Sequence, residues 1–251
     1  MNHETKISPL PQEGTFRFAC HKSLPCFTKC CADLELVLTP YDVVRLKARL
    51  GLSSDTFLEK YTAASVEQSY GMPVIKLKMN TDESHRCPFV TANGCSVYED
   101  RPGACRIYPL GRAALKVHEG LRAGESYFLV AESHCMGWNE GKKWTLRQWI
   151  MDQGLCEYNY MNDLFQDIIA GCHIRTINTL SDQKLKMFYM ACYSVDDFRR
   201  FVFETTFLDR FYISHELQIR LKGDDIELLK FAFRWLRFAL FGDRTVTLCN
   251  R

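Results

Sequence analysis

The sequence predicts an α+β fold that is predominantly α: a loop-rich cysteine-cluster region with a few short strands, packed on a C-terminal helical bundle. Three observations predict it. Eight of the twelve cysteines fall between Cys20 and Cys135, in tight groups among turn residues. Short runs of alternating or β-prone residues punctuate that stretch. Beyond about residue 140 the apolar residues recur at helical spacing, with a capping signal ahead of each run.

Taken in order, residues 1–14 read as a loose polar tail, and Thr15 to about Cys31 as a turn-rich, cysteine-rich segment. Thr39-Pro40-Tyr41-Asp42 opens a helix, with a capping hydroxyl, proline at the first helical position and an acid in the first turn. A second short helix spans Leu52 to Thr62 and opens at Ser53 or Ser54. Val74 to Met79 reads as a strand. Cys87 to Cys105 reads as irregular, with a tight turn at Asn93-Gly94. Ala113 to Val117 and Tyr127 to Val130 suggest two short strands, pairing across the loop around Gly120.

In the second half, Thr145 to Gln148 has capping-box spacing and opens a helix that ends at Gly154. The next helix lines up Met161, Leu164, Phe165, Ile168, Ile169 and Cys172 on one stripe. Ser181 and Ser194 are placed to cap two more. Asp224, with Glu227 three residues on, opens a last helix reaching about Phe241, apolar except for a narrow wet stripe of Lys230, Arg234 and Arg237. The expected division is a cysteine-cluster metal-binding domain at 1–140 and a helical domain at 141–251, or one continuous core.

Composition narrows the function. At 251 residues, with 47% hydrophobic and 25% charged residues, the chain can bury a substantial core. A formal charge of +2, evenly spread, excludes a nucleic-acid surface of the basic-patch kind. The start has no apolar signal region, and the longest greasy stretch, Ile226 to Phe241, is too short and too charged to span a bilayer. The expectation is a cytoplasmic protein with no membrane or nucleic-acid partner.

The cysteines carry the chemistry. Twelve in 251 is below the density of a disulfide scaffold. In a reducing compartment, clustered thiols mean metal or redox chemistry. The first group, Cys20, Cys26, Cys30 and Cys31, is spaced C-x5-C-x3-C-C. Cys87-Pro88-Phe89, Cys95 and Cys105 form the second, and Cys135 follows in His134-Cys135-Met136-Gly137. Short loops between thiols bend the backbone around a metal and present several sulfurs at about 2.3 Å. Neighbours in extended backbone point to opposite sides, so Cys30 and Cys31 are expected to serve different sites, or one to be spare. The eight suffice for two four-sulfur sites, or for one site with thiols left over.

Other residues have lesser candidacies. Lys22, Lys29, Arg86, Arg101, Arg106 and Arg112 could offset the negative charge of a thiolate site, or be surface charges. His21, His85 and His134 adjoin cysteines and could each replace a thiolate; Tyr98, Tyr108 and Trp138 could shield a site. Cys172 and Cys192 lie on apolar helical faces and read as core. Cys156 is undecided, and Cys249 lies near the end of the chain. A C-x3-C-x2-C radical site, a glycine-rich dinucleotide loop and a P-loop are all missing from the sequence.

The run Phe18 to Cys31 resembles the cysteine box of the YkgJ-like cysteine-cluster proteins, the CxxCxxCC zinc- or iron-chelating domain. The segment Cys87-Pro88-Phe89 … Gly94-Cys95-Ser96-Val97-Tyr98-Glu99-Asp100-Arg101-Pro102 … Cys105-Arg106-Ile107-Tyr108-Pro109-Leu110 is similar to that family's second box and is the more specific match. The family has closer spacing before its double cysteine than Cys20 and Cys26 show here. The resemblance implies zinc or iron chelation. Some flagellin lysine N-methylases carry a similar box, which by analogy adds a protein-modifying activity to the expectations.

Three readings follow. In the first, Cys20, Cys26, Cys30, Cys31, Cys87, Cys95, Cys105 and Cys135 hold an iron–sulfur cluster or clusters of the 4Fe–4S type. In the second they hold zinc that staples a loop-rich domain, with the helical half as a platform for a protein partner. In the third the cluster serves an enzyme. Surplus thiols and the adjacent pair favour iron–sulfur.

Overall fold

The computed structural model describes residues 5–67, 71–116, 122–175 and 180–249. The chain forms two compact units, each built from two stretches: Met1–Leu36 with Met79–Asn159, and Val37–Lys78 with Tyr160–Arg251. The linear cut near residue 140 expected from sequence is therefore replaced by an interleaved division. Residues 37–78 are drawn into the second unit because their helices and strands bury apolar faces there, a long-range effect that local composition does not report.

In the first unit, Thr5–Leu10, Arg122–Glu132 and Leu110–Lys116 form an antiparallel sheet with Arg122–Glu132 in the middle. The expected loose tail is thus, from Thr5 on, an edge strand, paired from Thr5↔Glu132 to Leu10↔Tyr127. Its partner lies far along the chain, so polar composition alone misread it. The two expected strands around 113 and 130 are present and longer than expected; Val117 and Gly120 lie outside the described residues. A second antiparallel pair joins Thr15–Arg17 to Lys143–Thr145 and sets Phe16 opposite Trp144.

These strands enclose a core of Leu10, Phe16, Phe18, Leu110, Tyr127, Trp144, Leu146, Trp149 and Leu155, with Tyr108, Cys135 and Trp138 packed on its edge. Its aromatic rings meet edge to face: Phe18 on Tyr108, Trp138 and Trp149, and Trp144 on Trp149 at 5.0 Å. The indole N–H groups hold backbone. Trp144 Nε1 donates to Phe18 O at 2.9 Å and Trp149 Nε1 to Ile107 O at 3.0 Å. The short helix Leu146–Asp152 starts at the capping box read from sequence, Thr145 with Gln148, and Gly154 follows its end at φ 60°.

In the second unit, helix Pro40–Leu50 has the full capping box of Thr39 and Asp42, and helix Ser54–Tyr61 is capped by Ser53. Strands Val37–Leu38, Met72–Leu77 and Thr62–Glu67 form an antiparallel sheet with Met72–Leu77 central. On helix Leu155–Arg175 the predicted stripe buries Met161, Phe165, Ile168 and Cys172. Helix Asp182–Cys192 is capped by Ser181. Ser194 precedes helix Val195–Glu204 but makes no cap; its hydroxyl donates to Asp55 and Asp197 instead. Helix Asp225–Phe241 buries eight of its seventeen residues and leaves Arg234 and Arg237 in water, the stripe expected. Among the described residues no helix is long and apolar enough to cross a membrane.

Candidate metal centre

All eight clustered cysteines lie in the first unit, and all twelve cysteines of the chain are free thiols. The stretch from His21 to Cys31 is a succession of tight turns: Leu24 N–H donates to His21 O, Phe27 to Leu24 O, Lys29 to Cys26 O and Cys31 to Thr28 O, at 2.9–3.1 Å. Thr28 adopts a left-handed φ of 65°, and Lys29–Cys31 is one turn of 3₁₀ helix. Cys30 and Cys31 are consequently not in extended backbone. The extended-backbone premise behind their expected separation is corrected: the two cysteines share one tight helical turn and influence each other's ionisation.

Cys31 is also tied to the second box. Its carbonyl accepts the Cys87 N–H at 2.7 Å, Ala32 bridges Arg86, and Asp33 N–H donates to His85 O at 3.0 Å. This short antiparallel register sets Cys31 opposite Cys87 on paired backbone. Asp33 (φ 53°) and His85 (φ 44°) join Thr28 as positive-φ residues other than glycine. All three flank cysteines, and such conformations persist where surrounding structure fixes them for a purpose.

The segment expected to be irregular between Cys87 and Cys105 contains a hairpin and a short helix. Val90–Thr91 pairs with Gly94–Cys95, and Gly94 sits at φ 107°, close under the Phe27 ring of the first box. Ser96 N–H and hydroxyl both donate to Phe89 O, which folds Cys95 back beside Cys87. Cys105 lies on helix Gly103–Ile107. The next residue, Arg106, clamps that helix: its guanidinium donates to Glu99 O and Gln153 O and lies 4.6 Å from the centre of the Tyr158 ring.

Cys135 reaches the first box from strand Arg122–Glu132. Its N–H donates to Glu132 O, and Met136–Asn139 forms a 3₁₀ turn. Ala19 N–H donates to Gly137 O at 3.1 Å, which holds Cys20 beside this turn. Only glycine fits at 137: an added Cβ would lie 2.7 Å from both Ala19 O and the Phe18 ring.

One backbone amide is bound to a sulfur: Met136 N–H donates to Cys26 Sγ at 3.2 Å. Main-chain groups near Phe89 and Val90 favour the thiolate at Cys87, those near Val97 at Cys95 and those near Gly137 at Cys135. Desolvation outweighs them while the thiols are protonated, and holds Cys87, Cys95 and Cys135 above the usual thiol value. Desolvation, with Cys30, Cys135 and Cys26 as neighbours, pushes Cys20 up to about 11. Cys30 is the exception. The adjacent Cys31 lowers it and is itself raised in turn, so the first proton leaves this pair more easily than the second.

Residues 19–136 match the model of a family described as "CxxCxxCC: Putative zinc- or iron-chelating domain". This segment is similar to a CxxCxxCC domain, and is called that below. No significant match to a curated protein or to a solved structure was found. The CxxCxxCC domain contains all eight clustered cysteines and none of the four scattered ones. Of those, Cys172 and Cys192 are buried in the second unit, as expected, and Cys156 is exposed.

The donor set of the CxxCxxCC domain is sulfur throughout, which suits zinc and iron–sulfur centres alike. Among the described residues, no three His, Cys, Asp or Glu side chains close around a single point at ion-binding distance. The thiols are gathered without being converged. The histidines turn elsewhere: His21 lies 3.5 Å from Glu140 and His134 3.6 Å from Glu132. Of the six candidate cations, Arg101 acts on the thiols, its buried guanidinium facing Cys95 and Cys105 from above the Tyr98 ring. Arg86 instead donates to Thr28 Oγ1 at 2.7 Å, Lys22 to Asn93, and Arg112 pairs with Glu125. Tyr108 packs on the edge of the core with Cys135, its buried hydroxyl without a hydrogen-bond partner among the described residues. Sequence reading singled out Tyr108 only as a shield, and missed the Met136 amide on Cys26 and the anchoring by Trp144 and Trp149.

Proposed function

We propose that the CxxCxxCC domain of this chain holds iron–sulfur chemistry, of the 4Fe–4S type, on thiolates from Cys20, Cys26, Cys30, Cys31, Cys87, Cys95, Cys105 and Cys135. The observation that carries the reading is the gathering of all eight clustered thiols in one unit, with the Met136 amide bound to Cys26 Sγ at 3.2 Å. Hydrogen bonds to sulfur stabilise bound thiolate and are among the terms that set cluster potentials. A sulfur-only set with an adjacent pair also exceeds what one zinc ion requires. In a cluster each iron takes one protein thiolate, so the ligands can be spread more widely than around a single ion.

The reading places the protein in the cytoplasm, where free thiols persist. When bound, a cluster would supply one-electron chemistry; the protein's part is to supply thiolates, hold the Met136 amide on Cys26 and pack Tyr108 and Trp138 beside Cys135. The test is anaerobic purification followed by visible absorption and analysis for iron, zinc and acid-labile sulfide. Near-equal iron and sulfide with a brown colour is expected. A colourless protein carrying zinc and no sulfide would overturn it in favour of a zinc-stapled domain.

A further inference from the structure

Backbone geometry places seven of the eight thiols in two neighbourhoods, and the charge couplings of Cys31 and Arg101 add Cys105 to the second. In one, the Met136 amide binds Cys26 Sγ at 3.2 Å, so Cys26 adjoins the turn that bears Cys135. The Ala19–Gly137 hydrogen bond holds Cys20 to the same turn. Lys29 N–H donates to Cys26 O at 2.9 Å and brings the chain round to Cys30. The charges agree: Cys20 interacts with Cys30, Cys135 and Cys26, and Cys135 with Cys26 and Cys30. In the other neighbourhood, Cys31 stands opposite Cys87 on paired backbone, and the Val90↔Cys95 hairpin returns Cys95 to Cys87. Cys31 interacts with Cys87 and Cys105, and Arg101 faces both Cys95 and Cys105.

We propose that the domain contains two four-sulfur sites, one built by Cys20, Cys26, Cys30 and Cys135 and the other by Cys31, Cys87, Cys95 and Cys105, abutting at the Cys30–Cys31 peptide. The inference rests on the reading that these thiols bind metal, and adds how they divide. Adjacent residues in a single coiled turn place one sulfur in each neighbourhood. Each site takes a group that accepts four thiolates. The two surroundings differ: the second has the Arg101 guanidinium, whereas the first has the Tyr108 hydroxyl and the Glu132 carboxylate nearby.

The test uses the full chain, loaded anaerobically with ferrous iron and sulfide, and two single variants at exposed thiols, Cys20→Ala and Cys105→Ala. The parent is expected to bind about eight iron and about eight sulfide, the content of two cube-type clusters. Each variant should lose about half of both, and the double variant nearly all. Far-ultraviolet circular dichroism of each checks that the fold survives. Alkylation of the loaded variants, mapped by mass spectrometry, gives a second readout: Cys20→Ala should free Cys26, Cys30 and Cys135 while Cys31, Cys87 and Cys95 stay protected. A parent holding one cluster, or one variant losing everything while the other loses nothing, would overturn the division. Two zinc ions per chain, falling to one in each variant, would support the division while sinking the iron–sulfur reading.

Discussion

The Cys31 carbonyl accepts the Cys87 amide at 2.7 Å, so two cysteines fifty-six positions apart face each other across paired backbone. Neither belongs to the hydrophobic core, and their juxtaposition is fixed by this bond together with Asp33 N–H to His85 O, the two bonds that bracket the Ala32–Arg86 bridge. Alanine at Cys87 is therefore expected to lower bound metal sharply while leaving the helical signal intact. Alanine at Cys192, which is fully buried in the second unit, should do the reverse. It removes a small apolar group at a cost of about 1 kcal/mol and leaves metal content unchanged. Metal analysis beside urea unfolding checks both, and a loss of metal in Cys192→Ala would contradict the assignment of ligands.

Arg101 is the cation that faces the thiols, 8% exposed and stacked 3.8 Å from the centre of the Tyr98 ring. A fixed positive charge favours the reduced, more negative state of a nearby cluster. Arg101→Gln should lower one reduction potential by on the order of 60 mV, the equivalent of a tenfold change for a one-electron couple. Arg101→Lys should recover part of the shift. A spectroelectrochemical titration reads it, and a potential that stays put in both variants would show that the guanidinium only braces Tyr98 and Gln153.

Gly137 makes a sharper steric demand. Because a Cβ there would meet the Ala19 carbonyl at 2.7 Å, Gly137→Ala must push the Cys135 turn away from the Cys20 strand. The expected result is weaker metal retention with a modest loss of stability, about 1–3 kcal/mol for overpacking at a backbone contact. Competition with a chelator, measured against the parent, gives the retention. Equal retention would mean that Cys20 and Cys135 need not be held together.

Local chemistry made some of this legible. The capping boxes at Thr39–Asp42 and Thr145–Gln148 and the wet stripe of helix Asp225–Phe241 are short-range devices, and each stands where the sequence put it. The cysteine groups were visible as spacing. What was hidden depends on distant partners or on unusual backbone. Thr5–Leu10 is a strand only because Arg122–Glu132 offers it an edge. Cys30 and Cys31 leave extended backbone for a 3₁₀ turn behind Thr28, whose left-handed conformation a threonine does not advertise. Residues 37–78 join the C-terminal helices through packing and ion pairs that no local pattern encodes.

Those ion pairs centre on Lys47. Its ammonium is nearly buried and lies 3.2 Å from Asp196 and 2.8 Å from Asp225, with Arg199 pairing to the same two carboxylates. Lys47→Met would keep the stem and remove the charge, leaving Arg199 alone against both acids. A destabilisation of about 2–3 kcal/mol is expected, below the full cost of breaking a buried pair because Arg199 remains. A urea midpoint equal to the parent's would show the pairs to be energetically idle.

Asp196 gives the same network a pH signature. Burial acts to raise its carboxyl, but the Ser54 amide at 2.6 Å and the Lys47 ammonium more than offset it and hold the group below the usual carboxylate range. A carboxyl depressed in the folded state contributes stability above its unfolded value of about 3.9, and that contribution is lost as pH falls through the lower, folded value. Asp196→Asn should therefore be less stable than the parent at pH 7, with the gap closing below about pH 4. Acid also strips thiolate-bound metal from both proteins, so the comparison is made between parent and variant at each pH rather than along either curve. Urea midpoints at pH 7, 5, 4 and 3 supply it. A gap that stayed constant down to pH 3 would mean that the aspartate acts through its neutral hydrogen bonds to Ser54 and not through its charge.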